Sequence, residues 1–305
     1  MVKIISTIGP RYLDQRDLLK KIIGKSDIIR FNFSHFDEDI FEKLFELILE
    51  FEIPILADLR GRELRVYSKT NQYLSPNSEG IIYMNRLYDE DLEEKSAFIE
   101  NYFHLKIISQ DNYSLKIKNI SKKPIIFKKD KIYKMQSPDF KLIDKEEKKV
   151  IKFLRKYPFD FLALSLVINE NDLYEIKDLL FSKFKIVSKI EWEFAFKNLD
   201  KLIDESDYIM IARGDLGSRN IYLLPLYQEK IIENVEKKGK QFIIATHLSI
   251  SLEYSNIPFR SEVIELYNTL KRKPYALLLA DETVKSRNPI KHLNFIKKMI
   301  NLYSK

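Results

Sequence analysis

Eight short runs of apolar, largely β-branched residues recur along the chain, and each is eventually followed by a longer amphipathic stretch. The runs are apolar throughout rather than alternating, as is typical of parallel strands that are covered on both faces. Strands are predicted at 3–8, 27–33, 53–58, 160–166, 185–190, 207–212, 241–246 and 275–280. Helices are predicted at 14–23, 38–51, 144–156, 169–182, 192–203, 225–238, 260–271 and 289–303. This alternation predicts an α/β fold, a closed (β/α)₈ TIM barrel.

One connection is far longer than the others, because residues 69–139 separate the third strand from its helix. Within it, runs such as YSLKIKNI and PIIFKKDKIYKM are typical of short antiparallel strands. We therefore predict a small β-rich lid domain at 69–139, inserted into a catalytic barrel domain that consists of 1–68 and 140–305.

The charge of the chain is unevenly distributed. The formal net charge is +7, and residues 101–150 alone hold 13 lysines against six acidic residues, so the rest of the chain is neutral. The excess is lysine and not arginine, although arginine is the better ligand for phosphate and guanine. The pattern therefore favours a small phosphorylated ligand and argues against a nucleic-acid partner.

The absence of cysteine excludes disulfides, thiolate metal sites and a cysteine nucleophile. No apolar run approaches the roughly 18 residues of a membrane span, and the N-terminus lacks the pattern of a signal peptide. We therefore expect a cytoplasmic protein without a membrane partner.

Polar residues recur where the predicted strands end, which is where barrel enzymes carry their catalytic groups. They are Thr7–Pro10, Arg30, Asn32, Ser34, His35, Asp58–Arg65, Ser165, Lys189, Glu191, Ala212–Asp215, Thr246 and Glu282. Lys189 and Glu191 are two residues apart on a strand, so both side chains can point to the same side. They form either a structural ion pair or, with Asp215 from the next strand, part of a site for Mg²⁺ or Mn²⁺.

Eight ordered segments carry a resemblance to a known family: KIISTIGP, IIRFNFSH, ADLRGRELR, DFLALSLV, IVSKIE, IMIARGDLG, IIATH and LLLADETV. In their order and approximate spacing they resemble the motifs of pyruvate kinases. The predicted insertion falls where that family places its B domain, which it matches in position only. The resemblance implies a cytoplasmic glycolytic transferase that converts phosphoenolpyruvate and ADP to pyruvate and ATP.

The resemblance also implies roles for the strand-end groups. Lys189 would stabilise charge on the transferring phosphoryl group and on the enolate, Arg30 would contact the phosphoryl group, and Thr246 would lie near the methylene carbon. The substrate carboxylate would be held at the ends of the sixth and seventh strands, by Ala212, Gly214, Asp215 and Thr246.

Two cations and a nucleotide are implied as well. Glu191 and Asp215 would bind the divalent Mg²⁺ or Mn²⁺. A monovalent cation, K⁺, would be bound by Asn32, Ser34, Asp58 and the backbone of Leu59. Glu63 matches the glutamate of potassium-dependent members, and the phosphates of ADP or ATP would be contacted by Asn32, His35 and Arg65.

The sequence departs from the family pattern in several places. The chain ends one helix after the eighth strand, where the family usually continues into a domain that carries effector sites and part of the tetramer interface. We therefore expect a truncated, unregulated enzyme with hyperbolic phosphoenolpyruvate saturation, in which any homo-oligomer lacks that interface. In addition, His247–Leu248 replaces the usual Gln-Met, and Ala280–Asp281 replaces Ser-Gly.

Two alternatives stay open. One is another enzyme of the same barrel superfamily, an aldolase or lyase that stabilises a pyruvate enolate; Arg30 and Arg65 argue against it, because such an enzyme has no phosphoryl group to bind. The other is a non-catalytic or regulatory paralogue, which would be expected to have lost Lys189, Glu191 or Asp215.

Overall fold

Sixteen strands lie in the part of the chain that the computed structural model describes, residues 1–86, 88, 90–100, 102–180 and 184–304. They are β1 (Lys3–Ile8), β2 (Ile28–Asn32), β3 (Ile55–Leu59), β4 (Glu63–Tyr67), β5 (Gln72–Leu74), β6 (Glu79–Met84), β7 (Ser96–Ile99), β8 (Phe103–Gln110), β9 (Ser114–Asn119), β10 (Ile125–Phe127), β11 (Ile132–Gln136), β12 (Phe161–Leu164), β13 (Lys185–Ile190), β14 (Tyr208–Ala212), β15 (Gln241–Ala245) and β16 (Ala276–Leu279).

Nine α-helices occur in the same described residues. They are α1 (Arg16–Ile23), α2 (Glu38–Leu49), α3 (Lys145–Leu154), α4 (Asn171–Leu179), α5 (Leu199–Glu205), α6 (Leu224–Lys237), α7 (Arg260–Lys271), α8 (Asp281–Val284) and α9 (Pro289–Tyr303). Among the described helices, we find none whose length and apolar character would let it span a membrane.

Eight of the strands close into a parallel barrel, in the order β1, β2, β3, β12, β13, β14, β15, β16 and back to β1. The register aligns the C-terminal ends, since Asn32 lies beside Asp58 and Leu59 lies beside Leu164. The barrel interior is filled by apolar side chains, among them Ile5, Leu56, Val187, Met210, Ile243 and Leu278. The predicted (β/α)₈ barrel with an inserted β-rich domain is therefore confirmed.

The chain divides into two compact units. The first comprises residues 1–60, 150–217 and 222–305 and contains the parallel barrel, and the second comprises residues 61–149 and 218–221. The second unit is a closed antiparallel barrel of β11, β4, β6, β9, β8 and β7, with β5 and β10 paired separately. It is wider than the predicted insertion at 69–139, because β4 begins at Glu63 and pairs along its whole length with β11.

Apart from small shifts at the ends of helices, the helix predictions differ from the structure at three places. The predicted helix 192–203 is divided into a 3₁₀ segment, Glu193–Asn198, and α5, because Trp192 keeps an extended backbone and delays the α-helix. The short α8 was not predicted and directly follows β16. The predicted helix 169–182 ends at Leu179 as α4, and its last two predicted residues lie outside the described residues.

Three aspartates bind the N-terminal ends of the barrel strands. Each directly precedes a strand, and its exposed carboxylate accepts the backbone N–H of an isoleucine in the neighbouring strand. The pairs are Asp27 with Ile4 at 2.7 Å, Asp160 with Ile55 at 2.8 Å and Asp207 with Ile186 at 2.7 Å. These carboxylates therefore have a structural partner at the end of the barrel opposite the polar strand ends.

Candidate active site

Asp58, near the end of β3, is the centre of a buried cluster of charges. Its side chain is 1% exposed. Oδ2 lies 2.7 Å from the Nε of Arg30 on β2, and Oδ1 lies 3.1 Å from the Nζ of Lys189 on β13. The closed parallel barrel brings these three strand ends to one rim, so one carboxylate holds two cations.

The cluster keeps its members ionised. Burial would raise the pKa of Asp58, but the charges of Lys189 and Arg30 outweigh burial and hold that pKa below its ordinary value. Burial would likewise lower the pKa of Lys189, but Asp58 and Glu191 raise it above the ordinary lysine value. Lys189 is therefore a fixed positive charge at neutral pH.

Two hydroxyl groups orient the cluster. Lys189 Nζ donates to the Oγ of Ser165 at 2.6 Å, and that hydroxyl group lies 2.7 Å from the carbonyl oxygen of Leu59. Arg30 Nη1 donates to the Oγ1 of Thr7 at 2.9 Å. The sequence placed Ser165 and Thr7 only among the polar strand-end groups, because their partners become visible once the barrel closes.

Glu191, just beyond β13, joins the cluster to a second acidic group. Its Oε1 lies 3.3 Å from Lys189 Nζ, and its Oε2 accepts the backbone N–H of Leu166 at 2.8 Å. Burial, together with the charges of Asp215 and Asp58, raises the pKa of Glu191 to about 7, although Lys189 opposes the shift. Glu191 and Asp215 therefore lie close enough for their charges to interact.

The ends of β14 and β15 face each other. A Cβ atom placed on Gly214 would lie 3.5 Å from Thr246 Cγ2 and 3.7 Å from Thr246 Oγ1. Thr246 and His247 both have left-handed backbones, with φ angles of 78° and 59°. The Thr246 side chain thus lies against the backbone that leads from Ala212, at the end of β14, to Asp215.

Oxygens of three of the four residues predicted to bind the monovalent cation already have protein partners. Asn32 Oδ1 accepts the backbone N–H of Ser34 at 3.1 Å. The Asp58 carboxylate is paired with Arg30 and Lys189, and the Leu59 carbonyl accepts from Ser165.

The predicted nucleotide contacts are divided between the units. His35 is exposed in a short 3₁₀ segment after β2. Arg65 lies on β4 in the second unit, where its Nε is 2.7 Å from Oε1 of the buried Glu63. Gln136 on the neighbouring β11 donates to the other Glu63 oxygen at 3.4 Å, so Glu63 has partners within its own unit.

Comparison with known proteins decides the family. The sequence model described as "Pyruvate kinase, barrel domain" matches residues 100–293, which is more than half of the chain. The chain belongs to the pyruvate kinase family. The pyruvate kinases of Methanocaldococcus jannaschii and Thermococcus litoralis are each 28% identical to it, over 97% of this chain and 68% of their own lengths.

A solved pyruvate kinase structure shows the same fold. The crystal structure of pyruvate kinase from Pyrobaculum aerophilum superposes with a TM-score of 0.78 at 22% identity, covering 98% of this chain and 73% of the other. At this identity the likeness concerns the fold alone.

The acidic groups at the ends of β13 and β14 are of the chemical type that binds hard divalent cations. Glu191 and Asp215 supply hard carboxylate oxygens, and the charge of Asp215 adds to the larger effect of burial in raising the pKa of Glu191. Among the described residues, no group of three or more histidine and acidic side chains is arranged to hold a metal ion.

Proposed function

We propose that this chain transfers the phosphoryl group of phosphoenolpyruvate to ADP, giving pyruvate and ATP. One observation supports this most strongly: Arg30 and Lys189 are held on one buried carboxylate, Asp58, next to Glu191. Family membership supports the same reaction. In the reaction the bond between phosphorus and the enol oxygen breaks, a bond to an oxygen of the ADP β-phosphate forms, and the enolate carbon takes up a proton.

The two cations suit the first half of this reaction. Phosphoryl transfer needs mostly positioning and stabilisation of charge on the transferring oxygens. In the proposal Arg30 contacts the phosphoryl group, and Lys189 stabilises the charge that develops on the transferring group and on the enolate. Because both are anchored before substrate binds, little reorganisation is needed as charge develops.

The acidic groups suit a divalent cation. The three carboxyl groups of Asp58, Glu191 and Asp215 outnumber the two cations Arg30 and Lys189, and a metal ion would favour the ionised form of Glu191, whose pKa is raised to about 7. In the proposal Glu191 and Asp215 hold Mg²⁺ or Mn²⁺, which when bound supplies Lewis-acid stabilisation of an enolate oxygen.

Groups from β14 and β15 complete the proposed substrate site. The backbone from Ala212 through Gly214 to Asp215 binds the substrate carboxylate in this scheme. The Thr246 hydroxyl group faces Gly214, and in the proposal it lies near the methylene carbon that takes up the proton.

A monovalent cation and the nucleotide remain part of the proposal. Asn32, Ser34, Asp58 and Leu59 offer the oxygen donors that K⁺ needs, and Asp58 would then share its oxygens with Arg30 and Lys189. The nucleotide phosphates are assigned to Asn32, His35 and Arg65. We place the reaction in the cytoplasm.

The test is ATP formation from phosphoenolpyruvate and ADP with Mg²⁺ and K⁺, followed through a coupled assay for each product. We expect stoichiometric pyruvate and ATP. Enolate chemistry on pyruvate without ATP formation would indicate an aldolase or lyase. Binding of phosphoenolpyruvate without any turnover would indicate a non-catalytic paralogue, and either result would overturn the proposal.

A further inference from the structure

Arg213, directly after β14, holds the end of β15 through its side chain. The guanidinium group is largely buried, and its Nη2 donates to the carbonyl oxygen of Thr246 at 2.6 Å. Its Nε donates to the carbonyl oxygen of Ala245 at 3.4 Å, and its Nη1 is paired with Glu265 on α7. Glu265 in turn accepts from the Oγ1 of Thr269 one turn later at 3.2 Å.

The backbone that Arg213 holds has an unusual conformation. Thr246 and His247 are consecutive non-glycine residues in the left-handed region, and Thr246 is β-branched, which makes this conformation especially unfavourable. Such a conformation persists only where surrounding contacts enforce it. The hydrogen bond from Arg213 to the Thr246 carbonyl oxygen is a contact of this kind, because it holds the backbone of Thr246 itself.

We propose that Arg213 and Glu265 are positioning residues for Thr246. This inference rests on the proposed function, in which the Thr246 hydroxyl group serves protonation of the enolate carbon. Glu265 fixes the guanidinium group, the guanidinium group fixes the Thr246 carbonyl, and the carbonyl sets the direction of the side chain toward Gly214. A flat guanidinium group is required, because its separate N–H groups reach the carboxylate and both carbonyls at once.

The decisive experiment is a double-mutant cycle on phosphoenolpyruvate turnover with Arg213→Met and Thr246→Ala. We expect each single variant to lower kcat about 10²-fold, with little change in the KM for ADP. Thr246→Ala removes the hydroxyl group that serves protonation, and Arg213→Met displaces it, where a shift of about 1 Å can cost that much. The double variant should be no slower than Thr246→Ala alone. If the two effects multiply to about 10⁴-fold, as independent sites do, Arg213 does not act through Thr246 and the proposal fails.

Two further variants keep the test valid if Arg213→Met folds poorly. Glu265→Gln removes the negative charge that faces Arg213 but keeps a side-chain oxygen that can accept from the guanidinium group, so we expect a loss of kcat below tenfold that disappears when Thr246 is alanine. Arg272→Met is the matched control. Arg272 lies at the C-terminal end of the same helix and pairs with Glu229 and Glu236, which belong to α6 and not to a strand end. It should leave kcat unchanged.

Hydrogen exchange separates this inference from the proposed function. Amides in the segment 244–250 should exchange faster in Arg213→Met and Glu265→Gln than in the wild type or Arg272→Met, whether or not the chain makes ATP. If the wild type forms no ATP but the variants show this exchange pattern, the proposed function is contradicted and the positioning role is not. Unchanged exchange in Arg213→Met would overturn the positioning role.

Discussion

The two ends of the barrel strands use carboxylates in opposite ways. At the N-terminal ends, the exposed Asp27, Asp160 and Asp207 each accept a backbone N–H of a neighbouring strand. At the C-terminal ends, Asp58 and Glu191 are buried and face the side-chain cation of Lys189. Carboxylates thus link neighbouring strands by hydrogen bonds at one end of the barrel and form a buried group of charges at the other.

This contrast is the basis for expecting the barrel to separate stability from function. An exposed carboxylate that accepts one backbone N–H stabilises the fold modestly and locally. A buried group of charges is costly to desolvate, so it is weak evidence for stability. In TIM barrels the C-terminal face is also where catalytic groups lie. We therefore expect substitutions at the first end to change stability and substitutions at the second end to change turnover.

Lys189→Met should have the largest effect. It removes the cation that faces both Asp58 and Glu191, and we expect turnover to fall about 10³-fold or more, as for loss of a preorganised charge-stabilising group. Manganese binding, measured by electron paramagnetic resonance, should survive. Lys201→Met, which removes an exposed ion pair with Glu170, is the control. Turnover within a few-fold of the wild type in Lys189→Met would reduce Lys189 to a structural ion-pair partner.

Withdrawal of K⁺ should have the next largest effect. Replacing K⁺ by tetramethylammonium at constant ionic strength should lower turnover about 10²-fold, as for loss of one charge-stabilising group, because a large cation cannot approach the oxygens of Asn32 and Ser34. Ser34→Ala should weaken the response to K⁺. Ser26→Ala, at the opposite end of the barrel, should leave the response intact. Equal turnover in both salts would contradict the monovalent site.

Ser165→Ala should have a smaller effect on the same cluster. The substitution removes the hydroxyl group 2.6 Å from Lys189 Nζ but leaves the ion pair with Asp58. Loss of one hydrogen bond to a charged group should lower turnover about tenfold. Ser249→Ala, also buried but outside the cluster, serves as the comparison. Unaltered turnover in Ser165→Ala would show that the ion pairs with Asp58 and Glu191 are sufficient to orient the lysine.

Asp207→Ala should have the smallest effect, and on stability alone. Loss of the acceptor for the Ile186 N–H should lower the free energy of unfolding by about 1 kcal/mol, measured by urea titration, with turnover unchanged. Asp207→Asn keeps an acceptor oxygen and should lose less. A marked loss of turnover in folded Asp207→Ala would break the division between the two ends.

The sequence predicted the parallel strands well because they are continuous apolar runs with polar ends. β1 and β13 begin and end at the predicted residues. The two-residue spacing predicts that Lys189 and Glu191, at the end of β13 and just beyond it, point to the same side, and in the structure their side chains lie 3.3 Å apart. Local pattern is sufficient in these cases because the features depend on residues close in sequence.

Features that depend on contacts between residues distant in sequence could not be predicted from local sequence pattern. Asp58 was assigned to a cation site, and only barrel closure shows that its two oxygens face Arg30 and Lys189. The left-handed backbone at Thr246 has no glycine to signal it, and Glu265, on α7, reaches that region through Arg213. Each of these depends on side chains from different strands or helices.

The most direct test of the account is the Mg²⁺ dependence of ATP formation from phosphoenolpyruvate and ADP, measured for four proteins. These are the wild type, Glu191→Gln, Asp215→Asn and Asp207→Asn. We predict magnesium-dependent turnover in the wild type and Asp207→Asn, and none in the other two, although all four remain folded by circular dichroism. Near-wild-type turnover in either Glu191→Gln or Asp215→Asn would contradict the assignment of the metal, and with it the functional role given to the buried carboxylates.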